Sequence, residues 1–360
     1  MHIKKLNIVP TWVFTTETGK LFDPLMLSLL RDIDHTGKLT VAAERAGISY
    51  RHAWNLLNRW GDTFGLPLVT RQKGQGTRLS ALGNALLWAE RKAQARLGPQ
   101  IESMASELNV ELQQLLEGAH PVLRMHASHG YAVALLANFH EQLEMNLQYC
   151  DPQQALTALN RGDCDIAGFH LPVDPQFGRR IFANYRGMLS PEEHVVIRFI
   201  TRQQGLMIRQ DSVGQINRLD DLAAPGIRFI NRQRNSGTRA LFRMLLQSVC
   251  LSEEQLNGYD REEYTHSAIA AYVASGMADA GFGVEAAARQ FGLEFIPLAA
   301  ENYLMICRRD RLGDDKMQNF LSLIRTPEFS AAVDQLPGYT PARCGAIEEL
   351  VDLERAILSR

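Results

Sequence analysis

The stretch from Asp23 to Leu87 constrains this 360-residue chain most, because its helix starts, stops and turns follow one another without a gap. Asp23-Pro24 is a helix start, with Asp at the N-cap and Pro at the first helical position, and Met26, Leu29, Leu30 and Ile33 then repeat on one face. Thr40 to Gly47 reads as a short, alanine-rich helix stopped by glycine. Ile48-Ser49 leads into a second helix whose core face is Ala53, Leu57, Trp60 and Phe64. The pair is a helix-turn-helix.

The outward side of that second helix carries Arg51, Asn55 and Asn58, with Ser49, Tyr50 and Arg59 beside them, donors suited to base edges and phosphates in a major groove. Leu68 to Arg71 then reads as a strand, Gln72 to Gly76 as a flexible tip, and Thr77-Arg78-Leu79 as the returning strand. This is a wing whose glycines let backbone approach a duplex, and Arg71, Lys73 and Arg78 can each neutralise a phosphate. Taken singly, each of these arginines reads equally as a solvated surface charge. The candidate DNA contacts are thus Ser49, Tyr50, Arg51, Asn55, Arg59, Arg71, Lys73 and Arg78, and the partner they imply is double-stranded DNA.

The formal net charge of -2 excludes a globally basic protein, yet Arg51, Arg59, Arg71, Lys73, Arg78, Arg91, Lys92 and Arg96 cluster near the candidate DNA surface. The start Met-His-Ile-Lys-Lys lacks the apolar run of a signal peptide, and no later stretch reaches the ~18 uninterrupted apolar residues of a membrane span, so a cytoplasmic protein without a membrane partner is expected. Five cysteines without Cys-x-x-Cys spacing indicate neither a disulfide framework nor a zinc site. His126 and His129, three apart at a strand end, point to opposite faces, and no metal site is expected.

From Leu82 the apolar positions Leu86, Ala89, Ala93, Leu97, Ile101, Met104, Leu108, Leu112 and Leu115 follow helical spacing with charge between them. A helix of this length has no evident partner ahead of the next domain, so a homodimer is expected, with pairing into tetramers left open. Packing on its own N-terminal domain is the alternative. Gly98-Pro99 interrupts the seam and predicts a kink or a break into two helices.

Beyond Pro121 the pattern changes to short apolar strands alternating with helices. Strands are predicted at Val122–Ala127, Leu147–Cys150 and Cys164–Phe169, with helices at Tyr131–Leu143 and Pro152–Asn160. Val195–Thr201 and Leu206–Ile208 look like a crossover, and a similar alternation follows it, so two lobes of comparable size are implied. Phe295–Pro297 and Tyr303–Cys307 would carry the chain back.

Ile230 to Arg239 sits at a strand-to-helix junction, where free amides, the Ser236 and Thr238 hydroxyls and nearby guanidiniums make a site for an anion. Gly237 removes a side chain where ligand must touch backbone. A plain Ser or Thr helix cap is the alternative. Ser128-His129-Gly130 is a second half-site at another strand end, and His170 and Thr265-His266-Ser267 are further contributors. The candidate ligand residues are Ser128, His129, Gly130, His170, Asn231, Arg234, Ser236, Gly237, Thr238, Arg239, Thr265, His266 and Ser267. There is no Gly-x-Ser-x-Gly elbow and no acid placed to orient a histidine, so an enzyme is not expected.

Two resemblances follow from these residues. The run Gly37 to Trp54, followed by Pro67-Leu-Val69 and the glycine-bearing wing, resembles the DNA-binding domain of molybdate-responsive ModE-type regulators, themselves related to the LysR type. Trp12 to Leu21 would be the small hairpin such regulators carry ahead of their first helix. Arg202 to Leu206, Phe229 to Arg239 and Thr265 to Gly283 resemble periplasmic-type solute-binding folds paired with molybdate and tungstate regulators; Asn235 stands where the pattern would commonly have glycine.

The expected fold class is multi-domain α/β. A winged helix-turn-helix at 1–80 precedes a linker or dimerisation helix at 81–118, a two-lobed type II periplasmic-binding-protein-like domain at 121–345 and a C-terminal helix at 346–360. The resemblances imply a transcriptional regulator with no cofactor, whose sensor closes on a small oxyanion effector, molybdate or tungstate first. A sensor of a small carboxylate such as formate is the second reading, and an oxyanion carrier or an enzyme the remote ones.

Overall fold

The computed structural model describes residues 15, 17–19, 21, 23–72, 76–117, 122–139 and 143–358. The chain divides into two compact units, Val9–Ala95 and the region from Arg96 to Arg360.

In the first unit, Thr15 and Leu21 form an antiparallel bridge, while Trp12 to Phe14 of the predicted hairpin lie outside the described residues. Helix α1 (Leu25–Thr36) ends where Gly37 turns left-handed at φ 67° and bonds back to the Ile33 carbonyl. Helix α2 (Leu39–Arg45) and helix α3 (Tyr50–Phe64) are joined through Gly47, also left-handed at φ 67°. Met26, Leu29, Leu30, Ile33, Ala42, Ala43, Ala53, Leu56, Leu57 and Trp60 form their shared core, the apolar stripe that the sequence spacing assigns to it. Strands β1 (Val69–Gln72) and β2 (Gly76–Leu79) pair antiparallel as the wing. The wing is tied down near its turn, where the Thr77 amide donates to the Gly37 carbonyl at 2.9 Å; a Cβ on Gly76 would lie 2.4 Å from that same oxygen.

Helix α4 (Ala81–Glu117) runs unbroken through Pro99, so the predicted break into two helices does not occur. It has intramolecular partners: packing on the N-terminal unit, the stated alternative, occurs, together with contacts further along that the sequence did not reveal. Leu82 and Leu86 pack on the first unit's core, Leu87 is buried, and Glu90 is buried beside Arg31. Further along, Ser106 bridges the Met145 carbonyl and the Leu147 amide, and the Ser103 hydroxyl accepts from the Tyr149 amide. Leu97, Met104, Leu108 and Leu115 stay exposed.

In the second unit, β3 (Leu123–Ala127), α5 (Tyr131–Leu135), β4 (Met145–Tyr149), α6 (Pro152–Arg161), β5 (Ile166–Pro172) and α7 (Pro175–Phe182) come first. The long strand β6 (His194–Ile208) follows. Then β7 (Phe229–Arg232), α8 (Gly237–Ser248), β8 (Glu262–Glu263), α9 (His266–Ala274), β9 (Ala280–Val284) and α10 (Glu285–Gln290) repeat the pattern. A second long strand, β10 (Glu294–Arg308), returns, and α11 (Asp315–Ile324), α12 (Pro327–Asp334), β11 (Tyr339–Thr340), β12 (Ile347–Glu349) and α13 (Leu350–Leu358) close the unit.

The strand order β4-β3-β5-β10-β6-β9-β7-β8 reads as two matching halves meeting at a central antiparallel pair, β10 and β6. Each half is a parallel trio whose third strand pairs antiparallel with one of the long strands. This is a multi-domain α/β protein, as expected. Helices cover both faces. One core holds α5, α9, α11 and α12 side chains, among them Val133, Ile269, Phe320 and Phe329; the other holds α6, α7, α8 and α13 side chains such as Leu156, Ile181, Phe242 and Leu353.

Two expectations are corrected. Val195–Thr201 and Leu206–Ile208 are one 15-residue strand, as are Phe295–Pro297 and Tyr303–Cys307, because the polar residues between them stay in the ladder. The helix predicted at Tyr131–Leu143 is five residues long and passes into a 3-10 turn at Leu136–Phe139. Pro297 cannot donate to the ladder, and the register shifts just after it. Gly205 stands opposite, where a Cβ would lie 2.1 Å from the Ile296 carbonyl oxygen and 2.8 Å from the Phe295 ring. Gly205→Ala is therefore expected to cost about 1–3 kcal/mol by overpacking. Urea unfolding checks this, and an unchanged midpoint would mean the bulge yields freely.

Candidate functional site

The first unit presents α3 outward. Arg51, Asn55, Asn58 and Arg59 are exposed, and the Ser49 hydroxyl is used as the N-cap, accepting from the His52 amide at 3.1 Å. The Arg71 guanidinium crosses from β1 to lie 4.4 Å from the Trp54 ring centroid and 5.7 Å from that of Tyr50. Stacking of this kind fixes a cation without consuming its charge. Arg78 is exposed on β2, and Lys73 lies outside the described residues. Trp54 was not picked out in the sequence, although its i, i+4 spacing from Tyr50 puts both rings on the side that meets the wing.

In the second unit, a buried polar cluster occupies the junction of the two halves. Arg202 of β6 stands opposite Glu301 of β10 in register and donates to its Oε2 through Nε at 2.9 Å and Nη2 at 2.7 Å. Gln204 Nε2 donates to the same oxygen at 2.7 Å and reaches Thr238 Oγ1 at 3.4 Å. His170 Nδ1 is 3.3 Å from Arg202 Nη2, and its ring meets Tyr303 edge-on at 4.2 Å between centroids. Tyr303 in turn donates to the Ser128 carbonyl at 3.1 Å.

Both halves supply this junction. A Cβ on Gly130 would come within 3.5 Å of Arg202 Nη1; one on Gly237 would come within 3.9 Å of His170 and 4.0 Å of the Tyr185 hydroxyl. Across the same junction the Tyr131 and Ser267 hydroxyls share a 2.8 Å hydrogen bond.

The electrostatics follow from burial. The His129 imidazole is pushed down to about 4, first by burial and then by the charges of Arg232 and Arg202. His170 and His266 are held well below the usual histidine range by burial and the same two guanidiniums. Burial and the like charge of Arg202 push Arg232 down to about 9, which leaves it charged at neutral pH. Its guanidinium also donates to the Tyr264 carbonyl at 2.9 Å.

Ser128, His129, Gly130, His170, Gly237, Thr238, His266 and Ser267 all fall in or beside this cluster. Ser236 is the N-cap of α8, accepting from the Arg239 amide, and Thr265 is the N-cap of α9. Asn231 is spent on backbone, bonding the Tyr259 carbonyl and the Arg232 amide.

Two arginines are placed differently from the expectation. The Arg239 guanidinium is buried under its own loop, bonded to Glu262 and the Arg232 carbonyl and stacked on Tyr259 at 4.6 Å. The Arg234 side chain is 74% exposed and pairs with Asp260 and Glu262. Arginines in a helix-start loop read from sequence as anion ligands, but local carboxylates capture these two. Five residues are likewise too few for α5 to add a strong dipole at Ser128 to Gly130. Gln204, Glu301 and Tyr303 were not singled out; Arg202 entered only through the run Arg202 to Leu206 that carries a resemblance, and Arg232 only among the guanidiniums of the Ile230 to Arg239 loop. Their one available signal was the charged and polar run Arg202-Gln-Gln within an otherwise apolar strand.

Two matching α/β halves joined by shared long strands, with polar residues buried where they meet, define a binding fold. Residues 133–325 match the PBP-like family, the PBP superfamily domain, and the chain belongs to that superfamily. It is similar to the uncharacterised protein YvgK of Bacillus subtilis (strain 168), 28% identical over 200 residues, which are 56% of this chain and 64% of YvgK. It is also similar to the molybdenum-pterin-binding protein MopB of Rhodobacter capsulatus, 27% identical over 110 residues, 29% of this chain and 41% of that one. The transcriptional regulator ModE of Yersinia pestis is 36% identical over 69 residues, 18% of this chain and 26% of ModE. The chain thus spans less than two thirds of the length of each of these relatives.

Three histidines kept neutral give a prediction with a definite sign. Their folded-state values lie below the ordinary 6.5, so the unfolded chain binds protons that the folded chain refuses. Stability of the second unit should be full above pH 6.5 and fall as the pH drops from there toward about 4. Thermal melts at pH 7, 6 and 5 check this, and His129→Gln should flatten part of the decline.

Proposed function

We propose that this chain is a DNA-binding transcriptional regulator whose PBP-like domain senses a small oxyanion, with molybdate and tungstate the first candidates. The observation that carries the sensor reading is the burial of two guanidiniums, Arg202 and Arg232, close enough to repel each other, with one carboxylate, Glu301, which bonds Arg202. Uncompensated charge in a dry site is costly, and a bound anion supplies the missing partner. Arg202, Gln204, Glu301, His170 and His266 are buried, so the anion reaches them when the halves part and holds the halves together once bound. Sequence likeness to a molybdenum-pterin-binding protein and to a transcriptional regulator supports the same reading.

The regulator half rests on α3 and the wing. Base-edge donors on an exposed helix, with Arg71 preset on Trp54 and Arg78 beside it, suit a major groove flanked by phosphates. Leu97, Met104, Leu108 and Leu115 leave an apolar seam on α4, and a second copy of the chain is its proposed partner. The protein would then act in the cytoplasm as a dimer, and sensing would consist of favouring one arrangement of the halves over another.

Titration calorimetry with molybdate, tungstate, phosphate and formate should show heat for at least one anion. Arg232→Met should lower that affinity about a hundredfold, the scale of a lost charge-assisted contact in a dry site, while Arg234→Ala should leave it unchanged. No heat with any of the four would remove the sensor.

On DNA, Arg51→Ala should cost about 1–3 kcal/mol and relax sequence preference, whereas Lys73→Ala should weaken all sequences alike and reduce the salt slope by about one. Retention assays across a salt series read both. Retention that is absent or insensitive to salt counts against the regulator.

A further inference from the structure

The buried cluster specifies the charge of its ligand as well as its sign. Its permanent charges are the guanidiniums of Arg202 on β6 and Arg232 on β7 and the carboxylate of Glu301 on β10, a net of one positive charge. The titratable groups facing Glu301 from the surrounding elements are His170 on β5, 4.0 Å away, Tyr185 after α7 and Tyr339 on β11. His129 and His266 feel the charge of the same two guanidiniums. Burial keeps the tyrosines as phenols, and burial with the arginine charges keeps the histidines neutral.

Hydrogen bonding points the same way independently. Glu301 Oε2 takes every donor that Arg202 and Gln204 offer the carboxylate, whereas Oε1 is buried with no donor. Gln204 Oε1 is buried with no donor either. In the same cluster Arg202 Nη1 has no acceptor within hydrogen-bonding geometry; the Tyr339 hydroxyl interacts with the Arg202 side chain but also stays outside that geometry. A fully deprotonated oxyanion offers only acceptors, so it can serve Arg202 Nη1 but sets its own oxygens against those of Glu301 and Gln204. An oxyanion that keeps one hydroxyl serves both.

We propose that this junction takes an oxyanion bearing one negative charge and one hydroxyl, so that an oxyanion doubly charged in water binds with uptake of one proton. The proton comes from solvent and resides on the ligand oxygen that faces Glu301 Oε1 or Gln204 Oε1. This rests on the oxyanion-sensor reading and narrows its ligand class. Sulfate, the anion of a strong acid, is refused, while molybdate and tungstate enter in their hydrogen forms. Formate matches the charge but lacks the hydroxyl.

The test is titration calorimetry of the full chain with molybdate at pH 6, 7 and 8, each in two buffers of different ionisation enthalpy. Uptake of about one proton is expected, with affinity falling about tenfold per pH unit and sulfate binding at least about a hundredfold more weakly than molybdate. Glu301→Gln raises the cluster by one positive charge and puts an amide in place of the carboxylate, so this variant should bind sulfate and lose the pH dependence. Should it fail to fold, the proton count on the unaltered chain decides alone. Binding of molybdate without proton uptake, or of sulfate as tightly as molybdate, overturns the inference and leaves the sensor standing. Failure of molybdate, tungstate, phosphate and formate alike removes the sensor reading and this inference with it.

Discussion

The second unit depends on Arg202 and Glu301 standing opposite each other in the ladder of β6 and β10. Both side chains are almost fully buried, and an ion pair in such a place is a weak source of stability, since desolvation consumes most of the attraction. Its effect is to specify arrangement. A slip of one residue in either long strand would turn one charge to the opposite face and leave the other buried without a partner, an error far costlier than the pair itself. The register of the two halves and the position of the polar cluster are therefore fixed by the same bond. Gln204 extends that bond to Thr238 at the start of α8, and Tyr303 extends the cluster to the carbonyl of Ser128.

The first unit was legible in the sequence because its signals are local. Gly37, Gly47 and Gly65 are all left-handed, as a stop in that position requires, and Ser49 caps α3 from its own side chain. A helix boundary set by neighbours in sequence can be read without knowing what lies across the fold. The alternation of the second unit was equally readable, and so was the position of the α8 loop at a strand end.

The misreadings share one cause. Thr201-Arg202-Gln203-Gln204-Gly205 has the composition of a loop, and nothing local shows that a carboxylate 97 residues beyond Gln204 waits across the ladder. The break in apolar pattern that divided β6 and β10 on paper is the polar cluster itself, so the place where periodicity failed was the place where the chemistry lies. The opposite error befell Arg239 and Arg234. Their spacing suited an anion loop, but Glu262 and Asp260 approach from the adjoining β8 segment and take both guanidiniums. Which of several arginines keeps its charge free is decided by tertiary carboxylates, and spacing carries no record of those.

Helix α4 brings the same logic to the edge of the sheet. β4 ends the strand order and would expose unpaired backbone groups, which proteins usually cover or charge. Here Ser103 and Ser106 supply the missing partners from a helix, bonding the Tyr149 and Leu147 amides and the Met145 carbonyl. At the far end of the strand order, Glu263 of β8 faces Arg96, a residue of the same helix, at 3.4 Å. One helix is thus fastened to the outermost strand of each half. Any change in the separation of those edges must break an attachment or carry the helix along. The hydroxyl contacts to β4 are several and buried in part, whereas the arginine of the Arg96 pair is largely in solvent, where such a pair contributes little. The Arg96 pair is therefore the weaker of these contacts, and relative motion of the halves would break it before the hydroxyl contacts to β4. Tyr149 on that retained edge packs against His129 at 4.9 Å, so the strand that holds the helix also borders the buried cluster.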